Sequence, residues 1–468
     1  MSRPDDWMVN PHRAFLETLY DVAVEAAHPR ALVAEAVARL RDLPDARRVA
    51  ILAIGKAAPA MAEEAVTRLG ERCLVITGGI IAGSADGESP HPDIVRVTGD
   101  HPLPGPRSVL ASRALGTAVD RARTTSDAAL VFISGGATSL IAEPIDGISL
   151  DSLIALYRTL LRTGWDIGAM NAVRKRFLRW GAGRLATTIA PLPIRLALLS
   201  DVIGDDPSTI ASGPCSGDSL TAADVRERLD TLADLPSEVR EELYDHLALV
   251  VSARLPETPK PNDPAFDGVS PPIVYGNGSA LHAVAEHARA RGWRVDLHRE
   301  PLQGEAAARG AEIARALVAS ANGALCVIHG GEPTVSVAGQ TSGTGGRAQE
   351  LALAAARVLH GARQQLGRSD RAAAGDPERP IDQDAPPVNR PITILAAGTD
   401  GRDGPTDAAG AVVDTSTWQR VRDHGVSPDE ALSSHDSYAA LAAASALLPR
   451  RVTGTNVMDI VVGLVGMP

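Results

Sequence analysis

Three carboxylates crowd the loop that follows the apolar run 392–397: Asp400, Asp403 and Asp407, interleaved with glycines and a proline. Acids at that spacing repel one another unless a cation neutralises them, and a hard divalent ion carrying phosphate does so well. The bland alternative is a solvated turn, with glycine for positive φ and aspartate bonded to its own backbone. A second polar stretch, after the strand pattern that ends at Leu199, holds Asp201, Asp205, Asp206, Ser208 and Ser212. Asp206 and Pro207 read as a helix cap and first turn, which leaves Asp201, Asp205, Ser208 and Ser212 for ligand contact. Cations stand against these acids. Gly55-Lys56 places an ammonium between a strand pattern and a helix pattern, and Gly346-Arg347 opens another helix after a glycine-rich stretch. A lysine or a forked arginine beside a helix N-terminus suits an anion. Paired glycines follow further apolar runs, at Gly78-Gly79, at Ser134-Gly135-Gly136 with Ser139, and at Gly330-Gly331 with Glu332 and Thr334. Successive backbone N–H groups in such loops can cradle phosphate. Together these are the equipment of phosphoryl transfer, in which catalysis is positioning and charge neutralisation.

The elements that must position these groups are read from apolar runs. Residues 48–54, 73–77, 129–134, 325–329 and 392–397 predict buried strands, and a helix pattern over 57–69 puts Met61, Ala65 and Leu69 on one face. Strands alternating with helices predict an α/β fold whose parallel sheet presents its glycine loops along one edge. At 468 residues the chain exceeds a single core. The proline-rich stretch PETPKPNDP predicts a linker at 256–270, separating an N-terminal domain, 1–255, from a C-terminal domain, 271–468. Residues 171–184, with Arg174, Lys175, Arg176 and Arg179, predict a basic helix face, either solvated or set against acidic loops or an anionic substrate. Residues 363–390, polar and rich in proline and alanine, predict a disordered surface loop. Gly276-x-Gly278 with Asp296 imitates a dinucleotide fingerprint, but Leu281 stands where the third glycine belongs.

Composition excludes other classes. A formal net charge of −11 and the lack of a basic block argue against nucleic acid. Cys73, Cys215 and Cys326 are far apart and form no CxxC pair, which predicts a reducing compartment without disulfides or zinc. No long apolar run predicts a membrane span, so the expected location is cytoplasmic and the expected partners are small molecules. The sequence leaves open whether the chain forms a homodimer. Walker A, GxSxG and HExxH patterns are all missing.

The blocks AIGKAA, ISGGATSL, MNAVRKRF, SDVIGDDPSTIASGP, HGGEPTV, GGRAQELALA, AAGTDGRDGPTDAAGAVVD and TGTNVMD, in that order over about residues 12–466, resemble the glycerate 2-kinases of the MOFRL type. Some members of that family are labelled hydroxypyruvate reductases. The resemblance implies ATP-dependent phosphorylation of D-glycerate at its 2-hydroxyl, with Mg2+. It also implies two α/β domains, a Rossmann-like N-terminal one with a parallel sheet and a smaller MOFRL-type C-terminal one, with the active site in the cleft between them. The family's central lysine and arginine fall on Lys56 and Arg347. Arg176 and Ala348 depart from the family, which usually has histidine and asparagine there. Joined to the residue reading, Lys56, Arg347 and Asp201 form the expected catalytic set. Asp201 or an acid of the 400–407 loop takes the hydroxyl proton. Asp205, Asp400, Asp403 and Asp407 are the expected metal ligands. The expected substrate and phosphate contacts are Gly55, Ser134, Gly135, Gly136, Ser139, Ser208, Ser212, Gly330, Gly331, Glu332, Thr334, Gly346, Thr399 and Asn456. Two other classes compete: an NAD(P)H-dependent hydroxypyruvate reductase, and a non-catalytic sugar-acid sensor that would have little use for a metal.

Overall fold

The computed structural model describes residues 11–43, 45–320, 323–337, 343–373 and 391–468. The chain divides into two compact units, one of residues 29–276 and one that joins residues 1–28 to 277–468. This differs from the boundary drawn on the sequence. Helix α1 (Pro11–Ala26) belongs with the C-terminal half of the chain, where the Phe15 ring stacks on Trp293 at 5.9 Å and the Tyr20 hydroxyl donates to the Gly398 carbonyl at 2.8 Å. The stretch expected as a linker is packed within the first unit. Thr258 is buried there and donates to Asp218, whose own backbone N–H bonds Pro259.

The first unit runs α2 (Pro29–Ala38), β1 (Arg48–Ile54), α3 (Ala58–Glu71), β2 (Val75–Gly83), β3 (Ile94–Thr98), α4 (Pro106–Thr125), β4 (Ala128–Ile133), α5 (Ala137–Leu140), α6 (Leu150–Arg162), α7 (Ile167–Arg174), α8 (Arg184–Ile189), β5 (Ile194–Leu199), α9 (Ala222–Asp230), α10 (Ser237–Val251) and β6 (Ile273–Tyr275). All six strands are parallel, in the order β3-β2-β1-β4-β5-β6. Strand β4 is buried along its whole length and reads as an unbroken apolar run, and β5 is equally buried with Arg195 as its one charged residue. The order reverses between β1 and β4, and a sheet of this kind binds ligands outside the carboxyl ends at that point. Gly78-Gly79 forms no loop. Both glycines lie inside β2, where a Cβ on Gly79 would collide with the Ile51 carbonyl and Gly78 adopts a φ of 146° at a register shift.

The basic run 171–184 is no solvated face. Helix α7 ends at Arg174 and a 3₁₀ turn carries Lys175 and Arg176 inward. Lys175 reaches Asp218 at 2.9 Å, and Arg176, only 1% exposed, pairs with both Asp218 and Glu257. Burial lowers the pKa of the Arg176 guanidinium, and Asp218 opposes that shift. Asp218→Ala would leave two buried cations facing each other. It should destabilise the unit by about 3–5 kcal/mol, measured by chemical denaturation.

The second unit continues with α11 (Asn277–Ala290), β7 (Arg294–Leu297), α12 (Ala306–Ala319), β8 (Leu325–Gly331), α13 (Arg347–Ala373), β9 (Ile392–Gly398), β10 (Ala408–Asp414), α14 (Thr417–Asp423), α15 (Pro428–Ser433), α16 (Ser437–Ala443), β11 (Leu447–Pro449) and β12 (Asp459–Val465). Its sheet, β11-β10-β9-β12-β8-β7, is mixed, with only the β7–β8 pair parallel. Of the insert expected at 363–390, residues through 373 continue α13 and 374–390 lie outside the described residues. Strands β6 and β7 belong to different sheets, so Gly276-x-Gly278 and Asp296 do not share a βαβ unit. Among the described residues no helix is long and apolar enough to cross a membrane, and all three cysteines are free.

Candidate active site

In the first unit, the loops after β1 and β4 meet at the point where strand order reverses. The Lys56 backbone N–H bonds the Gly135 carbonyl at 3.0 Å, and Ala57 N–H bonds the Ser134 hydroxyl at 3.0 Å. Gly55 holds a φ of 122°, and a Cβ there would collide with Ser134. These backbone bonds fix the turn and leave the Lys56 side chain exposed, with no ion-pair partner among the described residues. A Cβ on Gly135 would strike the Asp201 carboxylate. One on Gly136 would lie 3.3 Å from Lys56 Cε and 3.2 Å from Nε2 of His101. Lysine, aspartate and histidine thus converge on one two-glycine turn.

Other residues expected to touch ligand in this unit are committed elsewhere. The buried Ser134 hydroxyl is held by Ala57 N–H and the Ile54 carbonyl, and Ser139 donates to the Pro102 carbonyl at 2.8 Å. Ser208 donates to Asp206 at 2.8 Å, and the fully buried Ser212 lies 3.3 Å from the Thr138 hydroxyl. Asp206 caps a turn that leads only to a short 3₁₀ segment at Ile210–Ser212, where a helix was expected. Asp205 is half-buried with one carboxylate oxygen unpartnered, and burial raises its pKa.

In the second unit the centre is Arg347, the first residue of α13. Its Nε and Nη2 donate to the two carboxylate oxygens of Asp459 at 2.6 and 3.1 Å, and Nη1 donates to Glu332 at 2.5 Å. Burial alone would lower the guanidinium's pKa, but Asp459 and Glu332 override it and raise the pKa. Asp459 opens strand β12 and is 4% exposed. Burial pushes its carboxyl up while Arg347 opposes the shift. Asp459 escaped the sequence reading, although it ends the TGTNVMD block, where an acid directly ahead of an apolar strand was the available signal. A cavity of about 490 Å3 beside this pair is lined by Gly345, Arg347, Glu350, Asp400, Arg402 and His435. The His435 ring is anchored by Glu350 at 3.0 Å. Residues 340–342 of the glycine-rich stretch lie outside the described residues.

The three acids of the 400–407 loop expected to bind metal do not converge on one point. Asp403 is 3% exposed and accepts from the backbone N–H groups of Ala348 and Gln349 at 3.1 and 2.8 Å, capping α13. Gly346 provides the room, since a Cβ there would collide with Asp403. Asp407 accepts from the Tyr438 hydroxyl at 2.7 Å, and Asp205 belongs to the other unit. Among the described residues no group of three or more histidines, cysteines or acids is arranged to hold a metal. Mg2+ that arrives with nucleotide needs only one or two carboxylates besides phosphate and water. Asp400 and Asp459 fit that smaller demand. A Cβ on Gly398 would lie 3.0 Å from Asp400 Oδ1 and 3.4 Å from Asp459 Oδ1, so both acids face the gap that glycine leaves.

Burial pushes the Asp403 carboxyl up to about 6, against the bonds from Gln349 and Ala348. A raised acid stabilises the fold below its unfolded value, near 4, and loses that contribution as pH rises to about 6. Wild-type stability should therefore fall by up to about 2–3 kcal/mol relative to Asp403→Asn across that window, in denaturant titrations at stepped pH.

Gly330 and Gly331 end β8 and form no phosphate loop, because a Cβ on Gly330 would collide with Asn277 and one on Gly331 with the Leu302 backbone. Thr334 pairs its backbone N–H with the Gly304 carbonyl at 2.8 Å. Thr399 is fully buried, donating to the Met458 carbonyl and accepting from Val457 N–H, and Asn456 accepts from Met458 N–H at 3.2 Å.

Two family models match the chain: a domain of unknown function, DUF4147, over residues 15–248, and the MOFRL family over residues 325–459. A D-glycerate 2-kinase from Thermotoga maritima is 32% identical over 95% of this chain and 96% of its own length. A glycerate 2-kinase from Pyrococcus horikoshii is 32% identical over 89% of this chain and 87% of its own. An Agrobacterium vitis relative, also 32% identical, over 97% of this chain and 94% of its own, is named only provisionally as a hydroxypyruvate reductase. The crystal structure of a glycerate kinase from Thermotoga maritima superposes with a TM-score of 0.76 at 30% identity, covering 96% of this chain and 98% of the other. The chain belongs to the glycerate 2-kinase family of the MOFRL type.

Proposed function

We propose that this chain transfers the γ-phosphoryl group of ATP to the 2-hydroxyl of D-glycerate, releasing 2-phosphoglycerate and ADP. The observation that carries this reading is Lys56, an exposed ammonium with no ion-pair partner among the described residues, where strand order reverses beside a two-glycine turn. A fixed cation at such a point suits an anionic substrate or a transferring phosphoryl group. Arg347, held as a fork by Asp459 and Glu332, presents the remaining edge of its guanidinium to a second anion. Asp201 faces the turn beside Lys56, where its carboxylate would meet the acceptor alcohol. Asp400 and Asp459 would hold Mg2+, which would supply charge neutralisation to the nucleotide's phosphates.

A coupled assay with purified protein, D-glycerate, ATP and Mg2+, followed by enolase, tests the reading and its regiochemistry together. A signal abolished by EDTA is expected. ADP without an enolase signal would move the transfer to the 3-hydroxyl or another acceptor. NADH consumption with hydroxypyruvate and no ADP would overturn the kinase in favour of a reductase.

A further inference from the structure

The Gly135-Gly136 turn is approached by side chains from three segments: Lys56 after β1, Asp201 after β5, and His101 from the connection between β3 and α4. The sequence reading named the first two and passed over the third. We infer that His101 is a catalytic residue of the phosphoryl transfer, the group that accepts the proton of the acceptor hydroxyl.

This inference rests on the kinase reading above. His101 Nε2 lies 3.2 Å and its Cδ2 3.0 Å from where a Gly136 Cβ would stand, on the side of the turn that also meets Lys56 Cε at 3.3 Å. Only glycine leaves that space open, and the φ of 82° at Gly136 disfavours other residues as well. The ring is exposed and can be reached by a substrate. Neighbouring Asp100 does not compensate it. Its carboxylate is turned to the N-terminus of α4, accepting from Arg107 N–H at 2.8 Å and Ser108 N–H at 3.3 Å. Among the described residues the charged side chains that stand nearest the two glycines are Lys56 and Asp201, while Asp100 is engaged at the start of α4.

Partial burial and then the Lys56 ammonium push the pKa of the His101 imidazole down, which favours the neutral ring that can accept a proton. A general base must hold a free lone pair within reach of the proton it takes, and the exposed ring beside Lys56 meets that geometry. Asp201 then accepts a hydrogen bond that orients the alcohol, and Lys56 holds negative charge. In the transfer the 2-hydroxyl oxygen forms its bond to the γ-phosphorus while its O–H bond breaks and the proton passes to the imidazole lone pair. The bond from the γ-phosphorus to the β,γ-bridging oxygen breaks, and that oxygen leaves with the electron pair on ADP. The imidazolium afterwards returns its proton to solvent.

The test uses the full chain as wild type, His101→Asn and His101→Gln, with kcat and KM measured from about pH 5 to about pH 9. ATP binding by calorimetry shows that each variant retains its fold. The expected result is a loss of about 10²–10⁴ in kcat in both variants, KM for ATP within about threefold, and loss of the acid-side fall in kcat/KM that wild type shows. Turnover within about tenfold of wild type, or an acid limb that persists in a slowed variant, overturns the assignment and returns the proton to Asp201. A wild type that transfers nothing to D-glycerate overturns the kinase reading, and this role with it. An active wild type with equally active variants overturns the role of His101 alone.

Discussion

Lys56→Ala is expected to lower kcat/KM for D-glycerate by about a thousandfold while leaving the melting temperature unchanged. A positioned cation in phosphoryl transfer is worth on the order of 10³ or more. The ammonium makes no ion pair among the described residues, so its removal breaks no structural bond. The turn survives because it is tied through backbone, from Lys56 N–H to the Gly135 carbonyl and from Ala57 N–H to Ser134. Lys56→Arg keeps the charge and should recover part of the rate. Wild-type turnover in the alanine variant would remove Lys56 from the mechanism.

Arg347→Ala is expected to do two things at once. Turnover should be lost, and the unit should be destabilised by about 3–5 kcal/mol, the cost of leaving a buried acid such as Asp459 unpaired. The double variant Arg347→Ala with Asp459→Asn separates the effects. Its denaturation midpoint should recover much of the loss, because no buried charge remains, while activity stays absent. A single variant as stable as wild type would show that Asp459 is protonated or finds another partner. An active one would dismiss the arginine from the site.

Much of the frame was legible in the sequence. Strands β1, β4, β5 and β9 are buried almost throughout, so each is spelled mainly in apolar residues, and the loops after β1 and β4 meet where strand order reverses. Glycine misled the reading where it serves packing. Gly78-Gly79 and Gly330-Gly331 look like loops, yet each admits a neighbouring backbone or side chain against a strand. The basic run at 171–184 left a solvated face and an acid-facing patch equally open, because its partners, Asp218 and Glu257, lie far along the chain. Asp403 looked like a metal ligand because its α13 N–H partners lie in a different segment. His101 carries no local sign of its use, since only the folded turn at Gly136 sets it beside Lys56.

The packing of α1 against residues near Trp293 and Gly398 has a consequence for the order of events at the ribosome. Helix α1 is synthesised ahead of residues 29–276, whereas helix α11, against which it packs, begins only at Asn277. Residues 29–276 emerge in between and form a compact unit of their own. At about 5–20 residues per second, α1 waits on the order of ten seconds or more for α11. The intervening unit can complete its parallel sheet during that interval, so a helix made ahead of that unit finds its place after it.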